Sequence, residues 1–205
     1  MIADDHAVVR RGLQQIAATR RGWSIAAEAP SADDVLPALR KNRIDVLILD
    51  ISMGGRSGID LLSNIHAEFP ALPVLMFSMH AEEQYAIRAL RAGAQGYVQK
   101  DSTPEEIVTA IERVASGHRY MTKAVAEKLA GDFLEGRSAE PHERLSDREF
   151  EVFRQIAAGR RMSEIAENLH LSIKTVSTYR TRILEKTGFR SNADIIHYAV
   201  RAGLV

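Results

Sequence analysis

The stretch Ile44–Gly58, I-D-V-L-I-L-D-I-S-M-G-G-R-S-G, restricts the possible folds more than any other part of the chain. Val46, Leu47, Ile48 and Leu49 are apolar without alternation. That is the pattern of a strand covered on both faces, as in a parallel sheet flanked by helices. The run stops at one acid, Asp50, and a glycine-rich turn follows. In such sheets ligands gather at the carboxyl ends of the strands, where Asp50 falls. An aspartate can also simply open a turn by bonding its own backbone, so Asp50 by itself leaves both readings open.

The other elements supply its company. Ile2-Ala-Asp-Asp-His6 puts two acids after a short apolar stub, and Val9, Leu13, Ile16 and Ala17 follow at helical spacing. Trp23–Glu28 reads as a short strand, and Ser31-Ala-Asp-Asp34 as a capping box with Asp in the usual Glu place. A helix near Ile59–Phe69 stops before Pro70. Val74–Phe77 is a second buried strand ending in Ser78, residues 81–92 a helix, and Gln95–Val98 a strand ending near Lys100. Thr103-Pro-Glu-Glu106 is a complete helix start ahead of the stripe Ile107, Ile111, Val114. Strand and helix alternate five times, which predicts a doubly wound α/β domain with a parallel five-stranded sheet over residues 1–118. Residues 119–143 read as a partly helical linker, with a helix over 123–134. From 144 to 205 only helices appear, opened by the capping box Ser146-Asp-Arg-Glu149.

Composition adds exclusions. Among 205 residues the 27 basic and 27 acidic side chains balance, so global charge names no partner. Their distribution is uneven: residues 1–118 carry 12 basic and 15 acidic, residues 141–205 carry 11 and 8. A basic tail behind an acidic front fits an anion-binding second domain. The absence of cysteine excludes disulfides and thiol chemistry. No apolar stretch approaches the ~18 residues needed to span a bilayer, and no signal peptide opens the chain, so a cytoplasmic protein is expected. There is no P-loop, G-x-G-x-x-G or G-x-S-x-G. The seven histidines include no i,i+4 pair, and no transition-metal site is expected.

Asp4/Asp5, Asp50, Ser78 and Lys100 each end a separate expected strand. In a parallel sheet those ends meet in one crevice. Crowded carboxylates repel unless a cation joins them, and hard oxygen ligands suit Mg²⁺. A carboxylate nucleophile, a cation, a lysine and a hydroxyl together describe phosphoryl transfer onto Asp50.

Residues 1–118 resemble the receiver domain of a bacterial two-component response regulator, a flavodoxin-like fold. The resemblance rests on Asp4-Asp5-His6, Leu49-Asp50-Ile51-Ser52-Met53, Ser78 after a strand, and Gly96-Tyr97-Val98-Gln99-Lys100. It implies that Asp50 is the phospho-acceptor and that Asp5 and Asp50 bind Mg²⁺, with the Ser52 backbone carbonyl completing the set and Asp4 assisting. It makes Lys100 and Ser78 partners of the phosphoryl group, and Ser78 with Tyr97 a switch in which the ring rotates inward behind the serine. The chain departs from the family in a first strand shorter than usual, and in Gly54 where proline is usual, which loosens the loop after Asp50.

In the tail, Ser163–His170 reads as a short helix, Leu171–Ile173 as a turn and Lys174–Lys186 as a longer helix. Val176, Tyr179 and Ile183 share one stripe facing a core, while Lys174, Ser177, Thr178 and Thr181 fall opposite, with Arg182 at the flank. A helix-turn-helix accounts for exposed groups able to reach base edges and phosphates. This segment resembles the LuxR-type helix-turn-helix of NarL/FixJ regulators through Leu145–Glu149, Glu164-Ile-Ala166, Lys174-Thr-Val176 and Lys186-Thr-Gly188, with Thr187 in place of a usual leucine and Ile173 in place of a frequent acid. The resemblance implies base reading of double-stranded DNA by Ser177, Thr178 and Thr181, and phosphate contacts from Lys174, Arg180 and Arg182. The last helix, 191–204, is apolar around most of its circumference, which predicts a homodimer through it.

The expected function is a DNA-binding response regulator switched when a sensor histidine kinase or small phosphodonor phosphorylates Asp50. It is not a turnover enzyme, its own chemistry being confined to phosphorylation and dephosphorylation at Asp50. A phosphorylation-independent regulator or adaptor is the alternative, favoured if the short first strand disables switching. A Mg²⁺-dependent phosphatase is the remaining one; enzymes of that kind need a second acid two residues beyond the nucleophile, where Ser52 stands.

Overall fold

The computed structural model describes residues 1–53, 56–79, 82–134 and 140–205, and Gly54 lies outside them. The chain forms two compact units, Met1–Leu134 and Glu135–Val205.

Five strands make the parallel sheet of the first unit: β1 (Ile2–Ala3), β2 (Glu28–Ala29), β3 (Leu47–Asp50), β6 (Val74–Ser78) and β7 (Gly96–Gln99), in the order β2-β1-β3-β6-β7. Two further strands, β4 (Ser52–Met53) and β5 (Arg56–Ser57), form an antiparallel pair just after Asp50. Leu47 to Asp50 and Val74 to Ser78 are buried throughout, as a sheet covered on both faces requires. Helices α1 (Ala7–Ala18) and α5 (Pro104–Ala115) place Leu13, Ile107, Ala110 and Val114 against Ile2, Ile48, Leu75 and Val98. Residues alternating with these along the strands, Leu47, Leu49 and Met76, are equally buried and face the opposite way. That side carries α2 (Ala32–Lys41), α3 (Gly58–Glu68) and α4 (Glu82–Arg91), with Val35, Leu62, Ile65 and Ala86 inaccessible to solvent.

The short first strand is compensated by position. β1 pairs with β2 on one side and β3 on the other, and Ile48 N donates to Met1 O at 2.9 Å. Two residues therefore suffice to set the register, Ala3 opposite Leu49.

Two local expectations are corrected. The second strand occupies Glu28–Ala29, later than the expected Trp23–Glu28: Glu28 and Ala29 pair with Ile2 and Ala3, and Ala27 adds only its carbonyl, which accepts from Ile2 N at 3.1 Å. The Ser31 capping box does not form: the hydroxyl donates to Asp34 Oδ2 at 2.5 Å and caps no backbone N–H. Helix α6 (Lys123–Leu134) forms over the residues expected, and it groups with the first compact unit: Tyr120 is bonded to Gln95 and Tyr97, and α6 meets α4. The boxes at Thr103/Glu106 and Ser146/Glu149 are complete.

The second unit is helical: a short 3-10 turn (Pro141–Arg144), then α7 (Asp147–Ala157), α8 (Met162–Asn168), α9 (Ile173–Thr187) and α10 (Asn192–Arg201). Phe150, Phe153, Ile165, Val176, Ile183, Ile195 and Ala199 form its core. The turn between α8 and α9 passes through His170 at φ 53°, and Leu171 N closes it onto Ala166 O at 2.8 Å. A left-handed backbone favours glycine. His170→Gly is expected to stabilise the protein by roughly 0.5–1 kcal/mol, measured as a higher urea midpoint of the helical unit.

Candidate functional site

Parallel register brings the strand ends together. Asp4 follows Ala3, which lies opposite Leu49, so Asp4 and Asp50 end adjacent strands. Asp50 in turn pairs with Phe77, and Ser78 with Gln99, one residue before Lys100. Lys100 N donates to Ser78 O at 2.8 Å, which fixes where the lysine leaves the sheet.

Lys100 Nζ then lies 2.7 Å from both Asp50 Oδ2 and Asp4 Oδ2, with all three side chains at most 5% exposed. The Asp50 contact is a hydrogen bond. The Asp4 contact is an ion pair off hydrogen-bond geometry, so Asp4 Oδ2 is a buried oxygen with no hydrogen bond among the described residues. Asp4 Oδ1 accepts from His6 N at 2.8 Å, and Arg10 Nη1 donates to the Asp4 carbonyl at 2.8 Å. Asp50 Oδ1 accepts from Ser52 N at 3.2 Å. The Asp5 side chain is 31% exposed, its Oδ1 2.7 Å from His6 Nδ1. Ser78 and Tyr97 are both buried.

Burial raises the Asp50 pKa from 3.8 to about 6; Lys100 opposes the rise and Asp4 adds to it. Burial alone would lower the Lys100 pKa, yet the facing carboxylates of Asp50 and Asp4 raise it above its ordinary value. The lysine therefore stays charged and cannot fully neutralise two buried acids.

The donor set fits a hard divalent cation such as Mg²⁺. One ligand atom from each of Asp4, Asp5, His6 and Asp50 lies within 4.8 Å of all the others. Two contributors were not legible from the motif alone. Gly58 is one: a Cβ there would stand 2.1 Å from the Asp50 carbonyl oxygen, so the start of α3 crosses behind Asp50 only because the residue is glycine. Its place directly after Ser57, whose Oγ accepts from Ile59 N as the helix cap, was the available signal. Arg10, one helical turn beyond the acid pair, is the other.

Residues 1–112 match the response regulator receiver domain, and residues 143–199 the bacterial regulatory proteins of the luxR family. The chain belongs to the NarL/FixJ family of two-component response regulators. Response regulator UvrY of Escherichia coli K12 is 34% identical over the whole chain and 94% of its own length. Oxygen regulatory protein NreC of Staphylococcus epidermidis is 34% identical over the whole chain and 98% of its length. The structure of RcsB from Salmonella enterica serovar Typhimurium, bound to promoter rprA in the presence of phosphomimetic BeF3−, superposes with a TM-score of 0.63 at 27% identity. It covers 96% of this chain and 95% of that one. The family is one of DNA-binding transcription regulators and not of turnover enzymes. No helix among the described residues of the regulator is long and apolar enough to cross a membrane.

In the regulator's helical unit, Val176 and Ile183 of α9 are buried and Tyr179 is half-buried. Lys174, Ser177, Thr178, Thr181 and Arg182 are exposed on the other side, as the wheel required. Thr178 Oγ1 donates to Lys174 O at 3.0 Å and Thr181 Oγ1 to Ser177 O at 3.2 Å. Arg180 differs from the other predicted contacts: it is half-buried, and its Nε donates to Asn192 Oδ1 at 2.6 Å. The far end of α9 is held by Lys186 Nζ on the buried Glu149 carboxylate at 2.6 Å. Burial would raise the Glu149 pKa, but hydrogen bonds from Lys186 and Ser146 bring it below its ordinary value. On α10, Ile195 and Ala199 are buried, while Ile196 and Val200 are exposed, Val200 at 61%.

The raised Asp50 pKa carries a stability consequence. An acid whose folded pKa exceeds its unfolded one stabilises the fold below the unfolded value and loses that stabilisation as pH rises through the folded one. At pH 8 the ionised, buried Asp50 is therefore a burden. Asp50→Asn is expected to unfold about 1–2 kcal/mol later than wild type at pH 8. The gap should close as pH falls from about 6 to 3.8, in paired denaturant titrations.

Proposed function

We propose that the regulator's Asp50 accepts a phosphoryl group from a sensor histidine kinase or a small phosphodonor, and that this controls occupancy of double-stranded DNA by α9. The observation that carries the reading is the shared lysine: Lys100 at 2.7 Å from the carboxylates of two different strands. A purely structural ion pair needs one acid; the second leaves a surplus of negative charge in a buried site.

On this reading Asp5, Asp50 and the Ser52 carbonyl hold Mg²⁺, with Asp4 assisting. When bound, the cation offsets the charge of the carboxylates and of phosphoryl oxygens. The chain's own groups do the rest. Asp50 attacks phosphorus through a carboxylate oxygen, the donor's bond to phosphorus breaks, and the donor keeps the electron pair. The Asp50 pKa of about 6 leaves the carboxylate ionised, hence nucleophilic, at neutral pH. Lys100 shifts from the Asp50 oxygen to a phosphoryl oxygen, and the Ser78 hydroxyl donates to another. Because Lys100 N is bonded to Ser78 O, movement at one strand end is felt at the next. Tyr97, already buried, would lock behind Ser78 and mark the switched state.

For DNA, Lys174 and Arg182 are assigned to phosphates and Ser177, Thr178 and Thr181 to base edges. Arg180 contributes to phosphate binding through what Asn192 leaves of its guanidinium. The exposed strip Ile196 and Val200 supports a homodimer through residues 191–204. Residues 1–118 act as the receiver, 119–143 as the partly helical connection and 144–205 as the DNA-binding domain, all working in the cytoplasm.

Acetyl phosphate with Mg²⁺ is expected to label wild type, and Asp50→Asn to remain at background; equal labelling of the two sinks the assignment of Asp50. Lys174→Ala is expected to weaken promoter binding uniformly across sequences and to lower the salt slope of affinity by about 1. An unchanged slope removes Lys174 from the phosphate contacts.

A further inference from the structure

Strand pairing accounts for where Asp4 stands but not for Asp5. β1 stops at Ala3, and Asp4 N on Ala29 O at 3.1 Å carries the pairing one residue further. Asp5 lies beyond, joined to Asp4 by a single planar peptide group. With Asp4 fixed, rotation of that plane about its flanking bonds swings the Asp5 carboxylate toward the crevice or away from it.

That peptide is held by its oxygen. Arg10, in the first turn of α1, donates from Nη1 to Asp4 O at 2.8 Å. The same guanidinium donates through Nε to Glu28 Oε2 at 3.0 Å, and Gln14 Nε2 donates to the other Glu28 oxygen. Glu28 lies in β2 opposite Ile2, so the clasp runs from α1 across the acid pair to the neighbouring strand. On its other side the turn is closed by Asp4 Oδ1, which accepts from His6 N at 2.8 Å.

Two simpler roles for Arg10 fall short. As an ion pair with Glu28 it adds little to stability, because the two side chains are 17% and 36% exposed and solvent screens such pairs. As a bare charge it would oppose a nearby cation, an effect that Glu28 offsets. Neither role uses the shape of the contact. One rigid planar fork serves a β2 carboxylate and the Asp4 carbonyl together, which the single ammonium of a lysine does not reproduce.

We propose that Arg10, pinned by Glu28, is a positioning residue that sets the Asp4–Asp5 peptide and thereby the affinity of the strand-end pocket for its divalent cation. It touches neither the cation nor the phosphoryl group. The proposal rests on the cation-binding reading of the pocket and adds the part that stands in for strand length: where β1 has run out, a side-chain clasp fixes the acid pair.

Calorimetric titration of Mg²⁺ into the full chain, without phosphodonor, measures this directly. Arg10→Met is expected to bind Mg²⁺ about tenfold more weakly than wild type. Arg10→Lys, which keeps the charge and loses the fork, should be weakened as well, and so should Glu28→Ala, which leaves Arg10 present but unpinned. With no metal added, hydrogen exchange at the His6 N–H should quicken in all three as the turn loosens. In labelling by acetyl phosphate, the Mg²⁺ concentration giving half the maximal rate should rise by the same factor as the calorimetric affinity falls. Tighter Mg²⁺ binding by Arg10→Met would mean that Arg10 acts only as a charge, and wild-type affinity in Arg10→Lys would mean that the fork holds nothing. Either result overturns the positioning role and leaves the carboxylate site standing. So does a lowered maximal rate with unchanged half-saturation, the mark of lost folded protein alone. Failure of wild type to bind Mg²⁺ would overturn the cation reading itself, and this proposal with it.

Discussion

Lys100 between Asp4 and Asp50 is the contact from which the rest of the first unit takes its meaning. Two buried carboxylates on neighbouring strands repel, and in a low-dielectric interior neither can be left alone. One ammonium reaches both, but a single positive charge cannot balance two negatives. The pocket is thus held together and kept short of neutrality by the same residue. That residual negative charge gives a divalent cation a reason to enter. A second lysine in the crevice would make a quieter ion-pair network with no call for a cation or for chemistry.

The sheet makes this placement possible with little material. β1 has two residues, yet it lies between β2 and β3, so its register is fixed from both sides. A one-residue slip would turn Asp4 to the opposite face and bring its neighbour into the crevice. Gly58 imposes a comparable constraint from behind, since its missing side chain lets the first turn of α3 touch the Asp50 carbonyl. Asp50 is therefore held from three directions: the strand ladder, the Ser52 N–H and the helix start. Rigid backbone support of this kind leaves only side chains and the adjoining strand ends to move when charge changes.

Much of this was readable in the residues. Unbroken apolar runs at 46–49 and 74–77 announced a doubly covered sheet, and the polar residue ending each run announced the crevice. The complete capping boxes at Thr103 and Ser146 were equally plain, because reciprocal bonds need only local geometry. The failures were local competitions decided elsewhere. Ser31 found a side-chain acceptor in Asp34 in preference to backbone, and the second strand narrowed to the two residues paired with Ile2 and Ala3. Helix α6 lacked a visible stripe in the sequence; among its described side chains Val125 is buried, and the neighbouring Tyr120 bridges to the sheet edge beside Gly96. The weight of Gly58 and Arg10 was hard to read for a different reason. Their importance lies in approach distances across the fold, which no spacing along a chain encodes.

In the second unit the chemistry of α9 bears on why α10 leaves apolar residues uncovered. Thr178 and Thr181 each donate their one hydroxyl proton to a helix carbonyl four residues back. What remains for a DNA groove is an acceptor oxygen and a methyl group, suited to exocyclic amino groups of adenine or cytosine and to the thymine methyl. Such contacts discriminate less than a bidentate arginine on guanine, for which roughly 1–3 kcal/mol is typical. Arg180, which could have supplied one, is committed in part to Asn192. On the proposed assignment of DNA contacts, a single α9 would read sequence weakly and lean on its phosphate contacts. Doubling the reading head multiplies discrimination without changing any single contact, provided the two copies are fixed at a set spacing. The exposed Ile196 and Val200 on the neighbouring helix are the surface that could fix it. On the proposed reading, weak readout by α9 and the uncovered residues of α10 belong to one arrangement, and a change that strengthened α9 alone would relax the need for pairing.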